Sequence, residues 1–513
     1  MRAAVVLLLF VAACPKPKTE KEDAAVPAVD TSASASASVL AAPAPKEAPP
    51  APSAIVDAGP TRIGTCATDG EKRFTLVHFN DLQARYSDRI GGKSRYAYLA
   101  GHLRAQKLKR PETLVLDAGD DYEKGALAEL RSMGESTRRM LQVLPIDVRT
   151  IGNHDFAYGE KEVLADVTHS AFPVLAANID HPAFRPYARF DVGCVRVGVI
   201  GLVTQGFGAD DNVTSEPYCG VFKQDDHYAA IAQREIDAHR SEVDVLIALT
   251  HLGYIEDTTL AARTKGLDLI VGGHSEDFVE QPAPVKHADG TKTLIVQAGN
   301  YGKKLGQGEV RVGPSGISLA SYRLIPIDAK MPVAEDVDLF AKQLEDEAVP
   351  DAHKPIARVR TPLHQHRDMA DLVRRAAVQE WEADVVIVGR DLFFSGLEAG
   401  EITLQRLYDS VLVQREPSGT NGFTSLWSIE LSADELATVA KKTMYSWRYD
   451  VPFPQKLDPK KTYRVILDKR ALLHSSTYLG AGFTFPEGKY RGEMIDLLEQ
   501  YARARTAKKL TLD

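Results

Sequence analysis

Five apolar runs in this chain each stop at a cluster of polar residues, and that repetition constrains the fold more than any other feature. FTLVHF ends at Asn80 and Asp81, and LVLDA ends at Gly119 and Asp120. VRTI runs into Gly152, Asn153, His154 and Asp155. VDVLIALT ends at His251, and LDLIV is followed by Gly273, His274, Ser275 and Glu276. In an α/β domain the loops at the carboxyl ends of the strands converge on one crevice. Asp, Asn and His gathered there suit two divalent cations that activate a water and hold a phosphate.

Between about Lys72 and Asp328, strand-type runs alternate with helical patterns such as 95–107 and 229–240. That alternation predicts a layered α/β sheet domain. An acidic helical stretch, DVDLFAKQLEDE, reads as a linker, and a second α/β pattern follows from about Ile356. With 513 residues the chain is too long for one core. The expected division is 1–14 signal and lipobox, 15–70 tether, 71–328 dimetal domain, 329–355 linker and 356–513 substrate domain. No internal repeat is found.

A net charge of −8, with no Lys/Arg stripe among aromatics, argues against a nucleic-acid polymer as partner. Met1 to Ala13 carries one Arg and the stretch AAVVLLLFVAA, a signal-type segment too short to span a bilayer. Val11-Ala12-Ala13-Cys14 resembles a bacterial lipobox, in which Cys14 is lipidated; a cleaved secretory signal is the alternative. A membrane partner through the lipid on Cys14, and a periplasmic or outer-membrane face of the cell envelope, follow as expectations. From Pro15 to about Thr61 the Pro, Ala and Ser composition cannot bury a core and reads as a spacer. Among the remaining cysteines, a Cys194–Cys219 disulfide with Cys66 free, or free buried thiols, are both open.

Each polar cluster has ligand chemistry. Asp81 and Gln83 lie two apart past a strand, so extended backbone sends both side chains the same way. Asp120 can bridge two cations with its two oxygens, Asn153 offers a carbonyl oxygen, and His251 and His274 offer imidazoles. Glu276, two residues past His274, can swing toward Asp81. A lone Asp after a strand is usually a turn residue, and a lone His is usually surface or core. The ordered set at successive strand ends is what points to metal.

These residues resemble the bacterial periplasmic 5′-nucleotidase and UDP-sugar hydrolase family, within the calcineurin-like metallophosphoesterases. The motifs DAGD, GNHDF, VLAAN, GVIGLVT, ALTHLG, DLIVGGHS and VQAGNYGKKLG stand in family order. The resemblance implies a layered β-sandwich flanked by helices, followed by a linker helix and an α/β domain that binds the nucleoside. It implies that Asp120 bridges two metals, that Asn153, His251 and His274 complete one site, and that Asp81 belongs to the other. His154 would stabilise the transition state or protonate the leaving oxygen. Three positions depart from the family pattern. Gln83 stands where a His is usual, Glu276 where His or Gln is usual, and Ala157 where an Asp often orients the histidine. The first two changes make one site all-oxygen, favouring Mn²⁺, Mg²⁺ or Ca²⁺ over Zn²⁺. The third predicts an under-supported His154 and a slower enzyme.

The C-terminal half resembles the family more weakly. Its nucleotide loop corresponds to 389–394, with Arg390 as the available charge, and one aromatic, Tyr478, stands in the later segment. Gln414 to Pro417 replaces a further family segment. The expected activity is hydrolysis of a small-molecule phosphoester, nucleotides among them, with two divalent ions as cofactor and Mn²⁺ preferred at the first site. The alternative is an envelope binding lipoprotein that kept the fold and lost efficient turnover.

Overall fold

The computed structural model describes residues 60–66, 70–123, 125–204, 227–314, 316–411, 424–443, 451–473 and 484–513. Cys14, the tether to residue 59, Cys219, the 414–417 segment and Tyr478 lie outside them.

Two sheets form the first part of the chain. A six-stranded sheet runs in the order Gly316–Pro326, Lys304–Gly313, Arg73–Phe79, Thr113–Asp117, Val148–Thr150, Val174–Leu175. Its last four strands are mutually parallel, and the first two form an antiparallel hairpin. A seven-stranded sheet has Val195–Val203, Val245–His251, Leu269–Val271 and Lys292–Val296 running parallel at its centre. The apolar runs of the sequence are these strands.

Side chains that alternate along a strand go to opposite faces of its sheet. Leu114 and Leu116 therefore join Ile247, Leu249, Val197 and Val199 in the core between the sheets. Val77 and Val115 face the other way, onto the helices Arg95–Lys109 and Glu335–Ala348. Ile200, Leu202, Leu246 and Ala248 face the helices Tyr228–His239 and Tyr254–Arg263. The central strands are covered on both faces, which is why their sequences are unbroken apolar runs. The expected helix-flanked β-sandwich is what forms.

The acidic linker stretch is the helix Glu335–Ala348. It packs Val337, Ala341 and Leu344 into the core of the first part, and Arg89 pairs with its buried Asp338 and Glu345. Beyond it, a four-stranded sheet in the order Val385–Ile387, Tyr463–Asp468, Ser425–Leu431, Lys489–Glu493 carries its own core. The short helix Leu127–Arg131 of the first part buries Leu127 and Leu130 in the apolar cluster of this second part. No helix among the described residues is long and apolar enough to cross a membrane.

The cysteine expectation is corrected. Cys66 is bonded to Cys194 rather than free. The reason is a strand that composition alone does not show: Thr61–Ile63 pairs in parallel with Tyr187–Val192. That pairing lays Cys66 beside the tight turn that holds Gly193 and Cys194.

Candidate metal centre

The strand ends gather as expected. Asp120 follows the strand Thr113–Asp117, and its Oδ2 lies 3.0 Å from Nε2 of His251, the last residue of Val245–His251. Ligand atoms of Asp120, His251 and His274 all lie within 4.8 Å of one another. Nδ1 of His274 is 2.9 Å from Oδ1 of Asn153, and its backbone N–H donates to Asp81 Oδ2 at 3.1 Å. His251 is held from behind, its Nδ1 2.6 Å from the carbonyl oxygen of Ala118. Asp120, His251, His274, Asn153 and Asp81 thus come together from both sheets.

Two glycines permit this approach. A Cβ at Gly152 would stand 2.1 Å from Asp120 Oδ1 and 2.6 Å from His251 Nε2. At Gly273 it would stand 2.7 Å from His251 Nδ1. The backbone is strained around the same point: Asp81, Gln83, Asp120, Glu123, His274 and Glu276 have φ between 45° and 78°, so Asp81 and Gln83 are left-handed and not extended as expected. Non-glycine residues in this region cost of order 1–3 kcal/mol each and collect at functional sites.

The electrostatics of the cluster favour a cation. Burial pushes the Asp81 carboxyl well above its usual range, and the neighbouring Asp120 adds to it while His251 opposes. Burial also disfavours charge on Asp120, but His251, His154 and His274 outweigh it and hold that carboxyl below its usual range. For His251 burial works against protonation, yet the Asp120 carboxylate raises it to about 10. A buried carboxylate whose charge is balanced by a histidine that keeps its proton is one that a divalent ion would satisfy.

The side of the cluster around Asp81 is rich in oxygen. Gln83 donates its Nε2 to Glu276 Oε1 at 3.0 Å, and Asn300 Nδ2 donates to Glu276 Oε2. Both amides therefore turn their nitrogen toward Glu276. Their oxygens, Gln83 Oε1 and Asn300 Oδ1, are buried with no hydrogen-bond partner among the described residues, as is Asp81 Oδ1. A buried polar atom left unpaired costs about 1–3 kcal/mol. Three such oxygens match the donor set of a hard divalent ion. Glu276 is brought to this side as expected, but both its oxygens are engaged by amides. Asn300 was missed by the sequence reading; its signal was the polar GNYG segment after one more buried strand, Lys292–Val296.

One expectation about His154 is overturned. Its ring is not left without a carboxylate: Nδ1 is hydrogen-bonded to Oε2 of Glu123. Ala157, where a carboxylate was missed, is fully buried in the apolar core. Asp155, adjacent in sequence, is engaged elsewhere. It accepts the backbone N–H groups of Gly152, Asp120 and Asp121 at 2.5, 3.0 and 3.0 Å, and it pairs with Arg149. Sequence reasoning missed Glu123 because contact with His154 depends on how the loop after Asp120 folds back, and no spacing encodes that.

Arg390 opens a short 3-10 turn after the strand Val385–Ile387, and its carbonyl oxygen lies 2.8 Å from Nδ1 of His366. The next residue, Asp391, pairs with Arg470 at 2.5 Å. Phe394 is 40% exposed, whereas Phe393 is buried.

Residues 74–276 match the family described as calcineurin-like phosphoesterase. A snake venom 5′-nucleotidase of Gloydius brevicauda is 29% identical over 313 residues, covering 53% of this chain and 51% of its own length. The chain thus spans about half the length of that curated relative. Protein UshA of Yersinia enterocolitica is 26% identical over 469 residues, 76% of this chain and 84% of its own. Among solved structures, a 5′-nucleotidase precursor from Thermus thermophilus superposes with a TM-score of 0.61 at 22% identity, over 84% of this chain and 96% of that one. This last likeness is one of fold.

Proposed function

We propose that this chain is a metal-dependent phosphoester hydrolase acting on nucleotides or related small phosphoesters. The observation that carries the reading is the convergence of Asp81, Asp120, Asn153, His251 and His274 from the ends of two sheets, beside His154. Pure binding gives no reason for this set, and nothing in the geometry favours an impaired binding protein.

Divalent cations supply Lewis acidity, which polarises a phosphoryl oxygen and acidifies water. Asp81, Gln83 and Glu276, with Asn300, would hold one ion. Asn153, His251 and His274 would hold the other, with Asp120 shared between them. His154 is tied to the centre by its backbone N–H, which donates to Asp120 Oδ1 at 2.8 Å. Its imidazole would hand a proton to the departing oxygen, help typically worth ~10²–10⁴ in rate. The nucleoside end would be held by the second part of the chain, with Arg390 and Tyr478 as candidates. The names of the relatives support a nucleotide substrate for this chain.

The test is a matrix of metals against substrates on protein starting near Thr61, covering nucleoside mono-, di- and triphosphates, cyclic nucleotides, UDP-sugars and an aryl phosphate. We expect turnover with Mn²⁺, lowered in kcat but not KM by His154→Ala. No turnover with any metal on any substrate sinks the reading. The lipobox-like segment supports attachment to an envelope membrane through Cys14. Cys14→Ser should then release the protein without changing its specific activity.

A further inference from the structure

The loop after Asp120 turns back so that Glu123, 1% exposed, reaches His154 Nδ1. The carboxylate is itself located by its own backbone, whose N–H donates to Glu129 Oε1 at 2.7 Å. Glu129 is fully buried; Tyr158 donates to it at 2.8 Å, and Thr137 donates to its other oxygen. Glu129 lies on the helix Leu127–Arg131, whose leucines are fixed in the apolar cluster of the second part of the chain. The remaining carboxylate close in sequence, Asp155, is spent on Arg149 and three backbone N–H groups.

We infer that Glu123 is the positioning residue for His154, fixing the tautomer and ring orientation of its imidazole from a different loop. A carboxylate oxygen accepts and does not donate, so the contact keeps a hydrogen on Nδ1, and a proton handed to a departing oxygen leaves from Nε2 of the doubly protonated ring. The role in catalysis rests on the hydrolase reading, whereas the contact and its effect on the tautomer do not. The helix Leu127–Arg131 then links the packing of the second part of the chain to the orientation of His154.

Two measurements test this on the same proteins. Kinetics with an aryl phosphate and Mn²⁺ compare Glu123→Ala, Glu123→Gln, His154→Ala and the Glu123→Ala/His154→Ala double variant. Histidine-selective ¹⁵N spectra, assigned by the signal lost in His154→Ala, report the tautomer of His154 whether or not the protein turns over. We expect Glu123→Ala to lower kcat about 10- to 100-fold with little change in KM, part of what general acid–base help supplies. In the His154→Ala background the same change should cost less than about twofold, because residues acting as a unit are not additive. Glu123→Gln keeps an acceptor oxygen and should restore most of the rate and the Nδ1–H tautomer. A full Glu123→Ala effect in the absence of His154, or an unmoved tautomer, would overturn the inference. Absence of turnover in the unmodified protein defeats the hydrolase reading instead, and the nitrogen spectrum still decides the role of Glu123.

Discussion

Arg149 and Asp155 form a fully buried ion pair, 2.8 Å long, that ties the strand Val148–Thr150 to the turn carrying Asn153 and His154. The same guanidinium meets Asp121 at 2.6 Å and also pairs with Asp166. Through Asp155 it locks the loop of Asp120 to the loop of His154. Removing one partner of a buried pair costs about 3–5 kcal/mol, because the other charge stays buried and unpaired. We expect Arg149→Met to lose stability on that scale in urea unfolding, and to lose activity with it. An unchanged unfolding midpoint would show that the network is not what holds the two loops together.

Gly152 separates metal binding from folding. A side chain there meets Asp120 Oδ1 and His251 Nε2, both polar atoms of the cluster rather than the apolar core. Its own backbone N–H, bonded to Asp155, needs no glycine. Gly152→Ala should leave a cooperative thermal transition but bind metal at least about 10-fold more weakly, as displaced ligand geometry does. Equal metal content in the variant and the parent, measured after dialysis, would contradict the proximity described.

The oxygen-rich surroundings of Asp81 lead to a prediction about metal preference. Asp81, Gln83, Asn300 and Glu276 offer no nitrogen ligand, and oxygen donors suit Mn²⁺ or Mg²⁺ better than Zn²⁺. We expect Mn²⁺ to restore activity to stripped protein better than Zn²⁺. Glu276→His should shift the preference toward Zn²⁺, although it also releases the two amides that Glu276 now holds. Competition between the two ions, read by calorimetry, checks this without relying on turnover. Tighter Zn²⁺ binding by the unmodified protein would be the contrary result.

Glu129 gives the fold a pH dependence with a definite sign. Burial pushes its carboxyl up to about 8 from an ordinary 4.5, against the hydrogen bonds from Thr137, Tyr158 and the Glu123 N–H. In the window between those values the folded state keeps a proton that the unfolded chain has released. The contribution to stability is therefore complete below about 4.5 and is lost as pH rises through about 8. Glu129→Gln carries no titrating proton at this place. Chemical unfolding at a series of pH values should show a shallower decline for the variant across that range. Parallel curves for the two proteins would assign the decline to other groups.

The apolar runs, their order and the polar residues that end them were determined by the sequence alone. A strand covered on both faces needs an unbroken apolar run, and its carboxyl end must open into a loop, so Asp81, Asp120, Asn153, His251 and His274 could be read as one set. Three things were decided only by tertiary structure. The disulfide follows from the pairing of Thr61–Ile63 with a strand more than a hundred residues away. The orientation of Gln83 and Asn300 follows from where Glu276 sits between them. The carboxylate beside His154 comes from Glu123, in another loop, and not from position 157. Periodicity reports what one element must bury, and it is blind to which loop will fold back against which. Those contacts are set by the packing of whole sheets and helices, where residues far apart in the chain meet at distances of a few ångströms.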